Sequence, residues 1–220
     1  MKKGCVLKNT ETGAKVSNLN VSWYYTWGTK QIVGAPAIEF VPMIWGKNVV
    51  RDVVWDTVLI LNEPDRADQS NVAVEDALTR WNSIQAVRKG SPATAGNALT
   101  SQWFNAFMLH AKPDFICIHW YGPPNPDSLL KLVDGLYAKY SIPIWITEFA
   151  VAQWDTTKPS YTVDQVLEFM KIVIPRLEAR AHVERYAWKT REQSDLNMGS
   201  SALFDDAGNL TQVGQLYASL

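Results

Sequence analysis

The chain has 220 residues, with 21 Lys or Arg against 22 Asp or Glu and a formal net charge of −1. That balance leaves no basic field for a nucleic acid or an anionic membrane, so the expected partner is neutral. The length suits one well-buried domain spanning residues 1–220 and lies near the lower limit of a complete (β/α)8 barrel.

In chain order, a polar entry precedes residues 21–25 (VSWYY), which read as a first strand with Trp23 and Tyr25 on one face and Ser22 and Tyr24 on the other. Between Trp27 and Pro36 there is too little chain for a strand, a helix and two loops. A second strand at residues 31–33 would therefore lack a full helix. Residues 38–45 (IEFVPMIW) are the next strand, with Pro42 requiring a bulge. A brief helix through Val49, Val50, Val53 and Val54 is expected to return the chain to a strand at residues 58–61.

Asn71 or Ser70 is the expected cap of a helix with Val74, Ala77, Leu78, Trp81 and Ile84 at helical spacing, stopping before Gly90 and Pro92. Residues 94–99 form a weak strand, and Ser101 opens a short helix through Phe104, Phe107 and Met108. Residues 115–121 (FICIHWY) form a strong strand, after which Asp127 is the expected cap of the next helix. Another strand covers residues 142–150. Thr162 with Gln165 is a capping-box signature for a longer helix containing Pro175. Residues 183–189 are the last strand, followed by a turn at residues 205–209 and a helix from Thr211.

Strands alternating with helices predict an α/β fold with a parallel sheet, which the strand count leaves as either an open sheet or, the reading taken here, a compact (β/α)8 TIM barrel whose helix near strand 2 is shortened or missing. Two stretches share one construction. VLILNEPD, residues 58–65, and SIPIWITEFA, residues 141–150, are apolar runs that each deliver a glutamate, Glu63 and Glu148, toward the C-terminal end of a strand. If residues 31–33 are strand two, these glutamates end strands four and seven.

With NEP and TEF at those strands, the chain resembles clan A of the glycoside hydrolases. WYYTWG (23–28), FVPMIWG (40–46), LNEPD (61–65), IHWYG (118–122), WITEFA (145–150), YAW (186–188) and GNLTQVGQLY near the end narrow the match. Together they are similar to glycoside hydrolase family 128, a family of β-1,3-glucanases. The resemblance implies that Glu63 is the acid/base and Glu148 the nucleophile of a retaining double displacement, for which the carboxyls should stand about 5 to 5.5 Å apart. Internal cleavage of laminarin-type glucan is the expected mode, although the motifs leave action from chain ends open. The alternatives are a clan A hydrolase acting on another β-glucan or a mannan, and a non-catalytic carbohydrate-binding barrel.

Asn62 has an amide to offer the 2-hydroxyl of the cleaved sugar. On the FICIHWY strand, alternation places His119 and Tyr121 on one face, able to hold Glu148. Trp188 is the leading sugar platform, with Tyr25, Trp27 and Trp45 behind it; for each, core packing is the competing role. Trp120 is expected to pack against helices, and Asp65 and Arg66 to pair on their loop.

His110, His119 and His182 lack metal-ligand spacing, so no metal or cofactor is expected. Cys5 and Cys117 read as free thiols. No apolar run could span a bilayer, and the N-terminus has no signal-like apolar core. A monomer acting outside the cell or in a periplasm is the expectation, because a polysaccharide does not enter cells.

Overall fold

The computed structural model describes residues 2–35, 37–47 and 53–220. Its strands are β1 (Lys3–Val6), β2 (Trp23–Tyr25), β3 (Glu39–Phe40), β4 (Met43–Ile44), β5 (Val54–Ile60), β6 (Gln85–Lys89), β7 (Ile116–Gly122), β8 (Ile144–Val151) and β9 (Val183–Lys189), and every ladder is parallel. β3 and β4 are two pieces of one barrel strand, interrupted at Val41 and Pro42, where proline lacks the N–H a ladder needs. Counted together they give eight positions around a ring. The order is β3-β2-β1-β9-β8-β7 in one sheet and β4-β5-β6 in another. The sheets meet through the chain at Val41 and Pro42 and through an isolated bridge between Gly90 and Phe115, so no continuous ladder closes the ring.

Several local expectations change. Residues 31–33 form no strand. The missing position is filled by β1, inside the stretch read as a polar entry, so Glu63 still follows the fourth position and Glu148 lies on the seventh. β1 is buried because the Lys3 ammonium donates to the carbonyls of Tyr217 (2.7 Å) and Ala218 (3.2 Å) at the end of α6 (Gln212–Ser219). Val54 begins β5 rather than belonging to a helix, while Val49 and Val50 lie outside the described residues. The fifth position is β6, not residues 94–99. Its Val87 is exposed and its other side chains are polar or small, so no buried-strand pattern announces it.

α1 (Gly13–Asn18) lies between β1 and β2. Helix caps also shift. α2 (Val74–Ser83) starts from Ala73 with no side-chain cap, and α4 (Pro126–Tyr140) is capped by Asn125, whose side chain accepts from Asp127 N–H, with proline at the first helical position. The capping box of α5 (Val163–Glu178) forms as expected, and Ser101 caps α3 (Gln102–Met108).

Val6, Trp23, Met43, Leu59, Cys117, Trp145 and Ala187, from seven strands, fill the barrel interior. α4, α5 and α6 cover β7–β9 from outside, and α2 and α3 cover β4 and β5. The decisive irregularity is in β8. Trp145 faces the interior and Ile146 the outer layer, so regular alternation would turn Glu148 outward. The register against β7 instead runs Ile118 to Ile146 and then His119 to Glu148, making Thr147 an extra residue. This bulge turns Glu148 toward the barrel mouth and Phe149 into the outer core.

Candidate active site

Beyond β5 the chain turns through Leu61 and Glu63, both with positive φ (59° and 42°). A residue with a Cβ is held there at a cost of about 1 kcal/mol or more. Backbone bonds enforce it: Leu61 N–H to Ile44 O (2.8 Å), Asn62 N–H to Trp45 O (2.9 Å) and Glu63 N–H to Ala93 O (2.8 Å). The Asn62 amide donates to Gln69 Oε1 at 3.1 Å. The glutamate is thus fixed by its neighbours' main chain.

Glu148 is buried and receives three side-chain donors. Trp27 Nε1–H (2.7 Å) and Tyr25 O–H (3.1 Å) reach Oε1, and Tyr121 O–H reaches Oε2. His119 joins the two acids. Its Nδ1 is 2.9 Å from Glu63 Oε1 and its Nε2 is 3.4 Å from Glu148 Oε1, the second contact being an ionic approach without hydrogen-bond alignment. The assignment of donor and acceptor at Nδ1 follows the tautomer.

Burial pushes the Glu148 carboxyl up. His119, Lys189 and the bonds from Tyr121 and Trp27 outweigh it, leaving Glu148 below the ordinary glutamate value. For His119 burial lowers the pKa, but the charges of Glu148 and Glu63 and the Glu63 bond win, so the imidazole lies above its ordinary value. Burial first, and Glu148 second, push Tyr25 and Tyr121 well above an ordinary tyrosine, which keeps both as donors.

These groups open onto a cleft of about 700 Å³ whose lining includes Trp27, Trp45, Asn62, Glu63, Tyr121 and Glu148. Tyr25 lies beneath it, fully buried, holding the acid rather than facing the cavity. Trp188 corrects the sequence expectation. It is fully buried in the outer layer, its Nε1–H donates to Ser201 O at 2.9 Å, and its ring meets Phe149 at 5.0 Å. On β9 it is Ala187 that faces the interior, so Lys189 and not Trp188 reaches the mouth. Arg66 pairs with Asp68 rather than Asp65, which instead accepts from Ala95 N–H. Trp120 stacks on Phe169 of α5 as expected.

Sequence reasoning missed Trp154, Gln69, Lys189 and Arg191, all lining the cleft. Trp154 carried a usable signal: a tryptophan in the loop just past β8, at the barrel end where such loops gather, and the structure leaves it half-exposed.

A parallel ring with two glutamates entering one aromatic-walled cleft is the architecture of a glycosyl hydrolase core, and residues 4–217 match the family model described as "Glycosyl hydrolase catalytic core". The chain belongs to glycoside hydrolase family 128. It is 32% identical to a subgroup I endo-β-1,3-glucanase of that family from Amycolatopsis mediterranei, solved with laminaritriose and laminaribiose, over 99% of this chain and 98% of that one, with a TM-score of 0.86. A subgroup VII oligosaccharide-binding protein from Trichoderma gamsii shares the fold at 23% identity, over 99% of this chain and 92% of that one, with a TM-score of 0.83. Alkali-sensitive linkage protein 1 of Schizosaccharomyces pombe is 30% identical over 223 residues. That alignment takes in 92% of this chain, which spans only 41% of the relative's length.

Proposed function

We propose that this chain hydrolyses β-1,3-glucan internally, with retention at the anomeric carbon, Glu148 acting as nucleophile and Glu63 as acid/base. The observation that carries the reading is the unequal treatment of two acids in one cleft. Glu148 is gripped by Trp27, Tyr25 and Tyr121, which hold it as an anion, whereas among the described residues Glu63 has the single side-chain partner His119. The similarity to the Amycolatopsis endo-β-1,3-glucanase supports the substrate.

In the first step a Glu148 oxygen attacks the anomeric carbon while Glu63 gives its proton to the departing glycosidic oxygen. Oε1 of Glu63 is taken by His119, which leaves Oε2 for the proton. Once Glu148 is esterified its charge is gone. Glu63, now a carboxylate, takes a proton from the incoming water, whose oxygen bonds the anomeric carbon as the ester bond returns its electron pair to Glu148. Asn62 keeps its second amide hydrogen for the 2-hydroxyl of the reacting sugar, and the exposed rings of Trp45 and Trp154 offer faces to neighbouring sugars. We further propose that it works outside the cell or in a periplasm, because a polysaccharide does not enter cells, and that it works as a monomer.

The test is laminarin hydrolysis followed by proton NMR, beside mixed-linkage glucan, cellulose and mannan. The β-anomer should appear first, with a spread of chain lengths rather than one small sugar. Glu148→Ala should lose at least about a thousandfold in turnover yet still bind laminari-oligosaccharides, and azide with an activated aryl β-laminaribioside should give the α-glycosyl azide. An α-anomer first, binding without cleavage, or preference for another polymer would overturn the reading.

A further inference from the structure

Lys189 ends β9 opposite Val6 of β1, and with Trp188 committed to the outer layer its side chain enters the mouth. There it lines both the cleft and an adjoining cavity of about 400 Å³, which share Trp27 and Arg191 as well. Its Nζ stands 4.2 Å from the centroid of a Trp27 ring. The Nε1–H of the same side chain is the donor to Glu148 Oε1 at 2.7 Å.

The other cations of the cleft have carboxylates of their own, Arg191 with Asp195 (3.0 Å) and Arg66 with Asp68 (2.8 Å). Among the described residues no carboxylate lies within ion-pair distance of Lys189 and no acceptor takes a hydrogen bond from it; the indole face is its partner. A cation over an indole face draws electron density from the ring, and a polarised ring makes its N–H a stronger donor. Lysine, tryptophan and glutamate therefore form a line.

We propose that Lys189 is a positioning residue for the nucleophile, its charge acting through the Trp27 ring to hold Glu148 as a carboxylate aimed into the cleft. The proposal rests on Glu148 being the nucleophile. It has a consequence in each half of the reaction: the nucleophile stays ionised in mildly acidic solution, and the second step is favoured because charge returns to Glu148 as its ester bond breaks. The groups facing Glu148 are His119 and Tyr121 from β7, Tyr25 and Trp27 from β2 and its loop, Lys189 from β9, and Glu63 through His119. Lys189 in turn faces Arg191, Lys8 and Glu192 besides Glu148; burial is the main influence on it and lowers its pKa, with Glu148 opposing.

The experiment follows the Glu148 carboxyl by carbon NMR in protein labelled at glutamate, without substrate, and assigns its signal with Glu148→Gln. Lys189→Met should raise the titration midpoint by roughly half a pH unit or more. Lys189→Arg should restore most of it, and the Met shift should shrink in a Trp27→Phe background. The acid limb of kcat/KM on laminarin should move the same way, so that the Met variant loses more activity at acidic than at neutral pH. An unmoved midpoint in Lys189→Met, or an equal shift with and without the Trp27 indole, would overturn the proposal. Full turnover by Glu148→Ala would overturn the proposed function and with it any role of Lys189 toward a nucleophile, whereas an unmoved titration beside an inactive Glu148→Ala would overturn the Lys189 proposal alone.

Discussion

Trp45 and Trp188 carry the same side chain into opposite surroundings. Trp45 is 39% exposed and lines the cleft, while Trp188 is wholly buried against Phe149, Phe169 and Tyr217. Trp188→Ala should cost about 3–5 kcal/mol, with Tm falling by roughly 2–4 °C for each kcal/mol at this chain length. Trp45→Ala should leave Tm unchanged and raise KM for laminarin by roughly 2- to 10-fold, as the loss of one ring contact. Thermal unfolding and steady-state kinetics of the pair check this, and the reverse pattern would return position 188 to the cleft. The letters YAW named the right strand and the wrong ring, because nothing in three residues fixes which parity faces inward. By contrast the inward face of His119 and Tyr121 was legible, since β7 keeps its alternation from Cys117 onward, but of the two only Tyr121 bonds Glu148, while the hydrogen bond of His119 goes to Glu63.

At the level of elements, what could be read depended on whether the cause was local. The Thr162–Gln165 box lies within four residues of chain and forms as written. β1 was unreadable for the opposite reason. Lys3 is buried only because carbonyls 214 and 215 residues away receive its ammonium, and the Tyr217 hydroxyl donates back to Gly4 O at 2.6 Å. Gly4 is also the place where the Trp23 ring crosses β1, and a Cβ there would lie inside the van der Waals envelope of that ring. The ring has no free retreat, since its Nε1–H is bonded to Lys2 O at 3.0 Å and it packs on Trp145 at 5.3 Å. Gly4→Ala is therefore expected to destabilise by about 1–3 kcal/mol through overpacking, measured as a lower midpoint in urea with an unchanged slope. A midpoint equal to the wild type would show that the aromatic floor of the barrel is looser than these contacts indicate.

For the whole molecule, alternation and seven short motifs were enough to name an eight-position parallel ring, while the join between its two sheets lay beyond any pattern. β8 is paired on both sides, by β7 and β9, whereas β3 and β4 are two-residue pieces broken at Pro42. Amide exchange should therefore be slowest in residues 144–151 and fastest, among strand amides, in residues 39–44. Uniform protection around the ring would show instead that the barrel opens only as a unit.

The added Thr147 has a consequence for comparing such chains. Which side of the wall receives the carboxylate is decided by whether the strand bulges between Trp145 and Glu148, not by the letters TEF themselves. A homologue could keep every signature word, pair this strand without the bulge, and present the acid to a greasy helix. It would be a silent barrel that spells like a working one.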